Sequence, residues 1–490
     1  MSYDYDLIVI GSGPSGFSCA MQSSKFDKKV LVVEAHEDHL GGTWINTGTV
    51  PSKSLREAAK TIYRYHTQFE DKHNRRPFER FRMEDLLQYK QSIMDAKNKK
   101  VKNDFIKNEV DTAHGVGKLL DAHTVEITDH EGQSTTHTGE FILISTGSHP
   151  APSKLTLTKG AEILDYKSIL DLTHIPRRLV IIGGGINALE YATMFGVLGT
   201  RVAILNDRED YLPFLDHEIK TQLNNSLKDQ NTYVQNNVHV EKVEKNDLRT
   251  CTEVHFRSNE EKDARLQVIE TEHVLYFGGY QPNTDKLNLE KLNVRTDSYG
   301  FIKVDKNFRT AEQNIYAAGD VVGLPAMASV SFVQGRIAAC DMFGIPSQEM
   351  PSDIPFGIYT IPEIASIGLT ENDAKTMDIK VTVGRAYYND ITQADISHLT
   401  DGLLKLIFST DDLKLLGVHI IGEQATDLIH LGQSVMANGG DIRYFIQHVL
   451  NYPSYTEAYR IAAFNGVNRV YKAGVKYREI IENADLERKN

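Results

Sequence analysis

Two glycine-rich runs carry the clearest chemistry in the chain. The first, Gly11-Ser12-Gly13-Pro14-Ser15-Gly16, follows an apolar run, Tyr5–Ile10, and precedes a helical pattern over Phe17–Lys25. Glycines at this spacing make a tight turn, let the backbone approach a pyrophosphate and let the helix pack closely on the strand. The helix start then offers unpaired N–H groups to phosphate oxygens. The next apolar strand, Val30–Val33, ends in Glu34, a carboxylate placed to accept from ribose hydroxyls. The pattern returns as a strand over Leu179–Ile182, the turn Gly183-Gly184-Gly185-Ile186-Asn187-Ala188, a helix over Leu189–Leu198 and a strand over Arg201–Asn206. Glu34 lies 18 positions after Gly16, and Asn206 lies 18 positions after Ala188. That shared offset reads as two copies of one nucleotide-binding unit.

The copies differ at the ribose-reading position. Asn206 replaces the acid, so it can bond a hydroxyl without repelling a 2′-phosphate, and Arg208 is placed to pair with one. The second unit is therefore expected to admit both NAD(H) and NADP(H). Further on, Ile315–Ala318 is a buried strand ending in Gly319-Asp320, which puts a carboxylate at a sheet's C-terminal edge, where open α/β sheets bind ligands. A helix starting near Met327 aims its positive end at the same crevice.

These residues need a large frame. The chain has 490 residues, too many for one core, and its 41% hydrophobic and 24% charged content is that of an ordinary globular protein. A net charge of −12 argues against nucleic acid or an acidic membrane as the main partner. No apolar run approaches a membrane span, and the strand close behind Met1 leaves no room for a signal peptide, so a cytoplasmic location is expected. Cys19, Cys251 and Cys340 are isolated and suit neither a disulfide framework nor a metal site, so no metal is expected. Residues 54–112 are polar and helical in pattern, rich in lysine and arginine, and read as a solvated helical pair. Short strands over 113–150 end in Phe141–Ile144 and a small-residue turn. From Pro351 short strands alternate with helices, no third nucleotide turn appears, and this region is the candidate subunit interface. The expected architecture is α/β: two Rossmann-like dinucleotide-binding domains plus a C-terminal α+β dimerisation domain. The divisions fall at 1–150 for the first unit, 151–275 for the second, 276–350 for a return to the first, and 351–490 for the interface domain with its charged tail.

Four features coincide: the two units, Gly41-Gly42-Thr43-Trp44-Ile45-Asn46-Thr47-Gly48-Thr49-Val50-Pro51-Ser52-Lys53, Thr310 followed by Gly319-Asp320, and Tyr452-Pro453-Ser454-Tyr455-Thr456-Glu457. Together the chain resembles the pyridine nucleotide–disulfide oxidoreductase family. Within it, Asp353–Ile364, Leu205–Arg208 and Asn451–Ser454 are most similar to the branch of soluble pyridine nucleotide transhydrogenases. The resemblance implies FAD held by Gly11, Gly13, Gly16, Glu34, Gly42, Thr43, Thr146, Gly147, Gly279, Gly319, Asp320 and Ala328. It implies a nicotinamide dinucleotide held by Gly183, Gly185, Ala188, Asn206 and Arg208. Lys53 would lie beside the flavin and pair with Glu190, and Tyr452 and Glu457 would reach the site from the partner subunit of a homodimer. The family's redox cysteines fall at Trp44 and Thr49, and the transhydrogenase branch usually keeps the first of them.

Disulfide reduction needs a thiolate and an acid–base partner near neutral pKa; Trp44, Thr49 and Tyr452 supply neither. What the resemblance leaves is hydride exchange between NADPH and NAD+, or NADH and NADP+, through FAD in a ping-pong sequence. Two alternatives share the same residues: an NAD(P)H-dependent quinone or oxygen reductase, and a redox-sensing flavoprotein with little turnover.

Overall fold

The computed structural model describes residues 3–37, 39–69, 82–158, 160–260 and 264–472. The charged tail beyond Val475 lies outside them. Both glycine turns close onto parallel sheets of the same plan. In the first, the parallel strands run in the order Asp111–His114, Val30–Glu34, Tyr5–Ile10, Ser134–Ile144, Ile315–Ala317. In the second they run Thr232–Gln235, Arg201–Leu205, Arg178–Ile182, His273–Tyr276. The two units are interleaved, because the first recruits its last strand from beyond the second. Strands buried on both faces explain the unbroken apolar runs in Leu7–Ile10 and Leu179–Ile182.

Each helix begins earlier than the sequence pattern suggests, inside its own turn. The first spans Pro14–Ser24 and the second Ile186–Val197. Proline at the first helical position needs no N–H partner and brings a helical φ, which lets the helix start before Gly16.

A small antiparallel sheet, Gln267–Thr271, Cys251–Ser258 and Val238–Asn246 with Thr156–Leu157 alongside, is appended to the second unit. The C-terminal region is a five-stranded antiparallel sheet in the order Phe356–Ile358, Glu363–Gly368, Leu415–Gly422, Leu403–Ser409, Val381–Tyr387, joined by the helices Ala425–Ala437 and Glu457–Lys472.

The lysine- and arginine-rich segment is two helices, Thr49–Phe69 and Met83–Lys107, but the solvated reading of it is corrected. Arg56 and Lys60 are buried, and both reach the Glu363 carboxylate, at 3.0 and 3.1 Å. Lys60 also pairs with Glu423 at 2.8 Å, as does Arg64. Burial alone would raise the Glu363 carboxyl, and Lys60 and Arg56 outweigh that and hold it below its usual range. The carboxylates come from strands three hundred residues away, so no local pattern betrays them.

Candidate functional site

The two turns are built alike. Gly11 has φ +104° and Gly183 φ +114°. A Cβ on Gly11 would lie 2.4 Å from the Ser145 carbonyl oxygen, and one on Gly183 would lie 2.5 Å from that of Phe277, so side chains are excluded at both. A Cβ on Gly16 would meet the Gly11 oxygen at 2.0 Å, while Ala188 fills the matching place fully buried. Gly13 and Gly185 are different: nothing lies within 4 Å of the Cβ position of either. Each is the N-cap of its helix, and neither helix start has a side-chain cap. Backbone donors therefore face open space where a phosphate would sit.

Glu34 is buried, and its Oε2 accepts from the Ser12 N–H at 3.1 Å and the Ser12 hydroxyl at 2.5 Å. The Ser12 oxygen in turn accepts from the Gly41 N–H at 2.9 Å. Gly42 docks on the same turn, its Cβ position 3.1 Å from the Gly13 Cα, and Thr43 is exposed beside it. The Gly41–Lys53 stretch is thus bolted to the first glycine turn through Ser12.

Thr146 and Asn283 tie two loops together: the Thr146 hydroxyl donates to the Asn283 carbonyl oxygen and the Asn283 amide donates to the Thr146 carbonyl oxygen, both at 2.8 Å. Gly147 and Gly279 follow these loops with open space at their Cβ positions. Gly319 precedes Asp320, whose carboxyl is pushed up by burial, with only a 3.4 Å hydrogen bond from the Ser148 hydroxyl to oppose it. Asp320 is a carboxyl with acceptor capacity to spare. The Ala328–Met342 helix starts at Met327 without a side-chain cap.

Asn206 is buried, and its amide N–H groups donate to the Arg208 carbonyl at 3.2 Å and to the Asn236 side chain at 2.8 Å. Only its side-chain oxygen makes no hydrogen bond among the described residues. Arg208 is exposed and its guanidinium makes no ion pair among the described residues.

Lys53 and Glu190 meet at 2.5 Å. Lys53 rises from the Thr49–Phe69 helix, which the Gly41–Gly42 turn leads into, and Glu190 from the second unit's glycine-turn helix. The pair therefore joins the two nucleotide units. Glu190 uses its other oxygen to accept the Tyr359 N–H at 2.8 Å, and the Tyr359 ring lies 5.0 Å from the Lys53 nitrogen. Tyr359 was not foreseen: a backbone N–H from the C-terminal region leaves no side-chain signature in the sequence.

Trp44 sits in a short helix, Thr43–Asn46, with its ring edge-on to Phe332 at 5.0 Å and to Phe17 at 6.0 Å. Thr49 is exposed at the start of the next helix. The three cysteines are free and buried elsewhere, and burial pushes the Cys19 thiol up to about 12. Tyr166 and Tyr280, both near Asp320, are each pushed up to about 12 by burial. Tyr280 accepts a hydrogen bond from the Asn187 amide, at the start of the Glu190 helix.

Tyr452 is 68% exposed and shares a 2.9 Å hydrogen bond with Thr392. Glu457 starts the last helix, and its buried Oε2 has no hydrogen-bond partner. No bond among the described residues joins Tyr452 to Glu457, and neither is brought to Lys53 within one chain.

The description "pyridine nucleotide-disulphide oxidoreductase" matches residues 5–335, and its dimerisation domain matches residues 354–463. The chain is 36% identical over 473 residues to the soluble pyridine nucleotide transhydrogenase of Pseudomonas aeruginosa, covering 96% of this chain and 99% of that one. It is 38% identical over 468 residues to the protein of the same name from Mycobacterium bovis, covering 95% and 98%. Among solved structures, the HOCl-induced flavoprotein disulfide reductase RclA of Escherichia coli superposes with a TM-score of 0.84 at 24% identity, covering 94% of this chain and 99% of that one. No helix among the described residues is long and apolar enough to cross a membrane.

Proposed function

Because the chain belongs to the pyridine nucleotide-disulphide oxidoreductases, we propose that it is an FAD-dependent transhydrogenase, exchanging hydride between NADPH and NAD+ or between NADH and NADP+. The relatives that it matches over nearly their whole length carry the name soluble pyridine nucleotide transhydrogenase, which agrees with this reading. The observation that carries it is a pair of open glycine turns whose units are joined by the Lys53–Glu190 pair, with an indole and a threonine standing where the family has its disulfide.

The first turn suits FAD. Gly13 leaves room for a pyrophosphate against an uncapped helix start, Glu34 offers its carboxylate to the ribose, and Asp320 offers a poorly satisfied carboxyl to the ribityl hydroxyls. Bound there, FAD would accept a hydride from one nicotinamide and return it to another, which is the cofactor's chemistry rather than the protein's. The chain's own residues do the rest. Lys53 holds a fixed positive charge between Glu190 and Tyr359, and the uncapped start of Ala328–Met342 adds partial positive charge from backbone donors. Glu190 keeps the ammonium aimed instead of free to rotate, because both its oxygens are engaged. Gly185 and the uncapped start of its helix would take the second dinucleotide's phosphates.

Acceptance of both nucleotides follows from what the second unit lacks. No carboxylate stands at the ribose-reading position, the Asn206 donors are already spent in its loop, and Arg208 is free to meet a 2′-phosphate. Tyr452 and Glu457 would complete the site of a second copy in a homodimer, which agrees with the exposed phenol and the unpartnered Glu457 oxygen.

Purified holoprotein mixed with NADPH and the thionicotinamide analogue of NAD+ should yield the reduced analogue with parallel-line initial-velocity plots. NADPH consumption with oxygen or a quinone but no reduced analogue would sink the proposal and leave the quinone reductase reading standing.

A further inference from the structure

The small antiparallel sheet of the second unit holds a second constellation, remote from the glycine turns. Along Cys251–Ser258 the side chains alternate. Thr252, Val254 and Phe256 face the core, which puts Cys251, Glu253 and His255 on the other face. The register sets Glu244 opposite Glu253 on one side and Glu270 opposite Glu253 on the other. Three carboxylates thus stand in a row across three strands, an arrangement that costs stability unless cations intervene.

The outer two are served. Lys242 reaches the Glu244 Oε2 at 2.6 Å, and Arg249 pairs with Glu270. The central Glu253 has, among the described residues, only a neutral hydrogen-bond donor, the Asn246 amide, which binds its Oε1 at 2.6 Å. Its Oε2 faces the His255 Nε2 at 3.5 Å, and the Glu244 Oε2 faces the same nitrogen at 3.4 Å. His255 is only 8% exposed, and among the described residues neither ring nitrogen makes a hydrogen bond. A buried imidazole without a hydrogen bond is costly, and here it is aimed between two carboxylates.

From this geometry we infer that Glu244, Glu253 and His255 form a site for a divalent first-row transition metal of the zinc class. Metal–ligand bonds of about 2.1 Å in a tetrahedron separate neighbouring donor atoms by about 3.4 Å, and the two separations from the His255 nitrogen, 3.4 and 3.5 Å, agree with that edge. One imidazole and two carboxylates suit zinc better than magnesium or calcium, which take oxygen alone. Asn246 fixes the Glu253 carboxylate by its other oxygen, the task of an outer-shell partner. Cys251 groups with Glu253 and Glu270 instead, not with His255 or Glu244. The competing occupant of the Glu244 oxygen is the Lys242 ammonium, which metal binding must displace.

Metal-free, tag-free holoprotein titrated with Zn(II) against a chromophoric chelator should bind one equivalent per chain. His255→Ala and Glu253→Gln should each weaken that equivalent at least about tenfold, with flavin content and transhydrogenase rate unchanged. Lys242→Ala should tighten it, because a competing cation is removed. No stoichiometric equivalent, or one that both variants keep, overturns the proposal. Should either variant fold poorly, X-ray absorption of the wild-type zinc complex decides: one imidazole among oxygen donors supports the site, and a sphere without imidazole refutes it.

Discussion

Glu190 has no freedom left once Lys53 takes one oxygen and the Tyr359 N–H the other. Replacing it with glutamine keeps the shape and removes the charge, so Lys53 loses its fixed orientation. Hydrogen bonds to charged groups contribute about 1.5–3 kcal/mol, so Glu190→Gln should lower kcat roughly ten- to a hundredfold at unchanged flavin content. An unchanged kcat would mean that the pair merely joins the two units. Arg208 belongs to the same scale. Arg208→Ala should raise KM for NADPH about tenfold, the loss of one charged contact, and leave KM for NADH alone; equal effects on both would remove Arg208 from phosphate reading. Trp44→Cys should give no glutathione or lipoamide disulfide reduction, because Thr49 supplies no second thiol and Tyr452 no imidazole to move the proton. Measurable disulfide turnover by that variant contradicts this account. Lys53 and Glu190 could be named from the sequence because they lie in register with motifs that carry a family likeness. Tyr359 could not, since it acts through a peptide N–H that every residue but proline possesses. Asn206 was half legible: its lack of charge could be read, but not the commitment of its amide to Asn236 and Arg208.

Helices Pro14–Ser24 and Ala328–Met342 are far apart in the sequence but pack on each other at Ser15. The Ser15 hydroxyl donates to the Ala318 carbonyl at 2.9 Å, and a Cβ on Gly335 would stand 2.0 Å from the Ser15 oxygen. Backbone that close cannot yield as a side-chain tip can. Gly335→Ala should therefore cost about 1–3 kcal/mol by overpacking, lower Tm and release flavin on dilution, since both helix starts shift. Thermal unfolding with flavin fluorescence checks this, and an unchanged Tm would show that the helices part easily. Strands and helices of the two units were readable because buried parallel strands give apolar runs and the turns need glycine where φ is positive. The partner of each helix was not readable, because helix pairing is set by shape across hundreds of residues. Arg56 and Lys60 illustrate the limit: a basic helical stripe looks solvated until Glu363 and Glu423 arrive from the C-terminal sheet.

Across the whole molecule, the second nucleotide unit is clamped to the C-terminal sheet by a fully buried lysine. Lys405 donates to both Asp216 oxygens at 2.9 and 2.8 Å and lies 2.7 Å from Glu218 and 2.8 Å from Glu371. Arg385 adds a second cation on Glu218 at 2.7 Å. Asp216 also caps the helix His217–Asp229, so the clamp fixes that helix start as well. Removing one partner of a buried network strands the others, and Lys405→Met leaves Asp216 fully buried without its cation; the expected loss is about 3–5 kcal/mol. The acid dependence separates a charge effect from a packing effect. Burial raises the Glu218 carboxyl, but hydrogen bonds from Arg385 and Lys405 outweigh this and hold it at about 2, against an ordinary 4.5. A carboxyl held low in the folded state stabilises fully above its unfolded value, and that share is lost as pH falls from 4.5 toward about 2. The Tm difference between wild type and Lys405→Met should therefore be widest near neutral pH and shrink as pH drops through that window. A difference that stays constant from pH 7 to pH 3 would show that the lysine stem's packing, and not its charge, holds the two regions together.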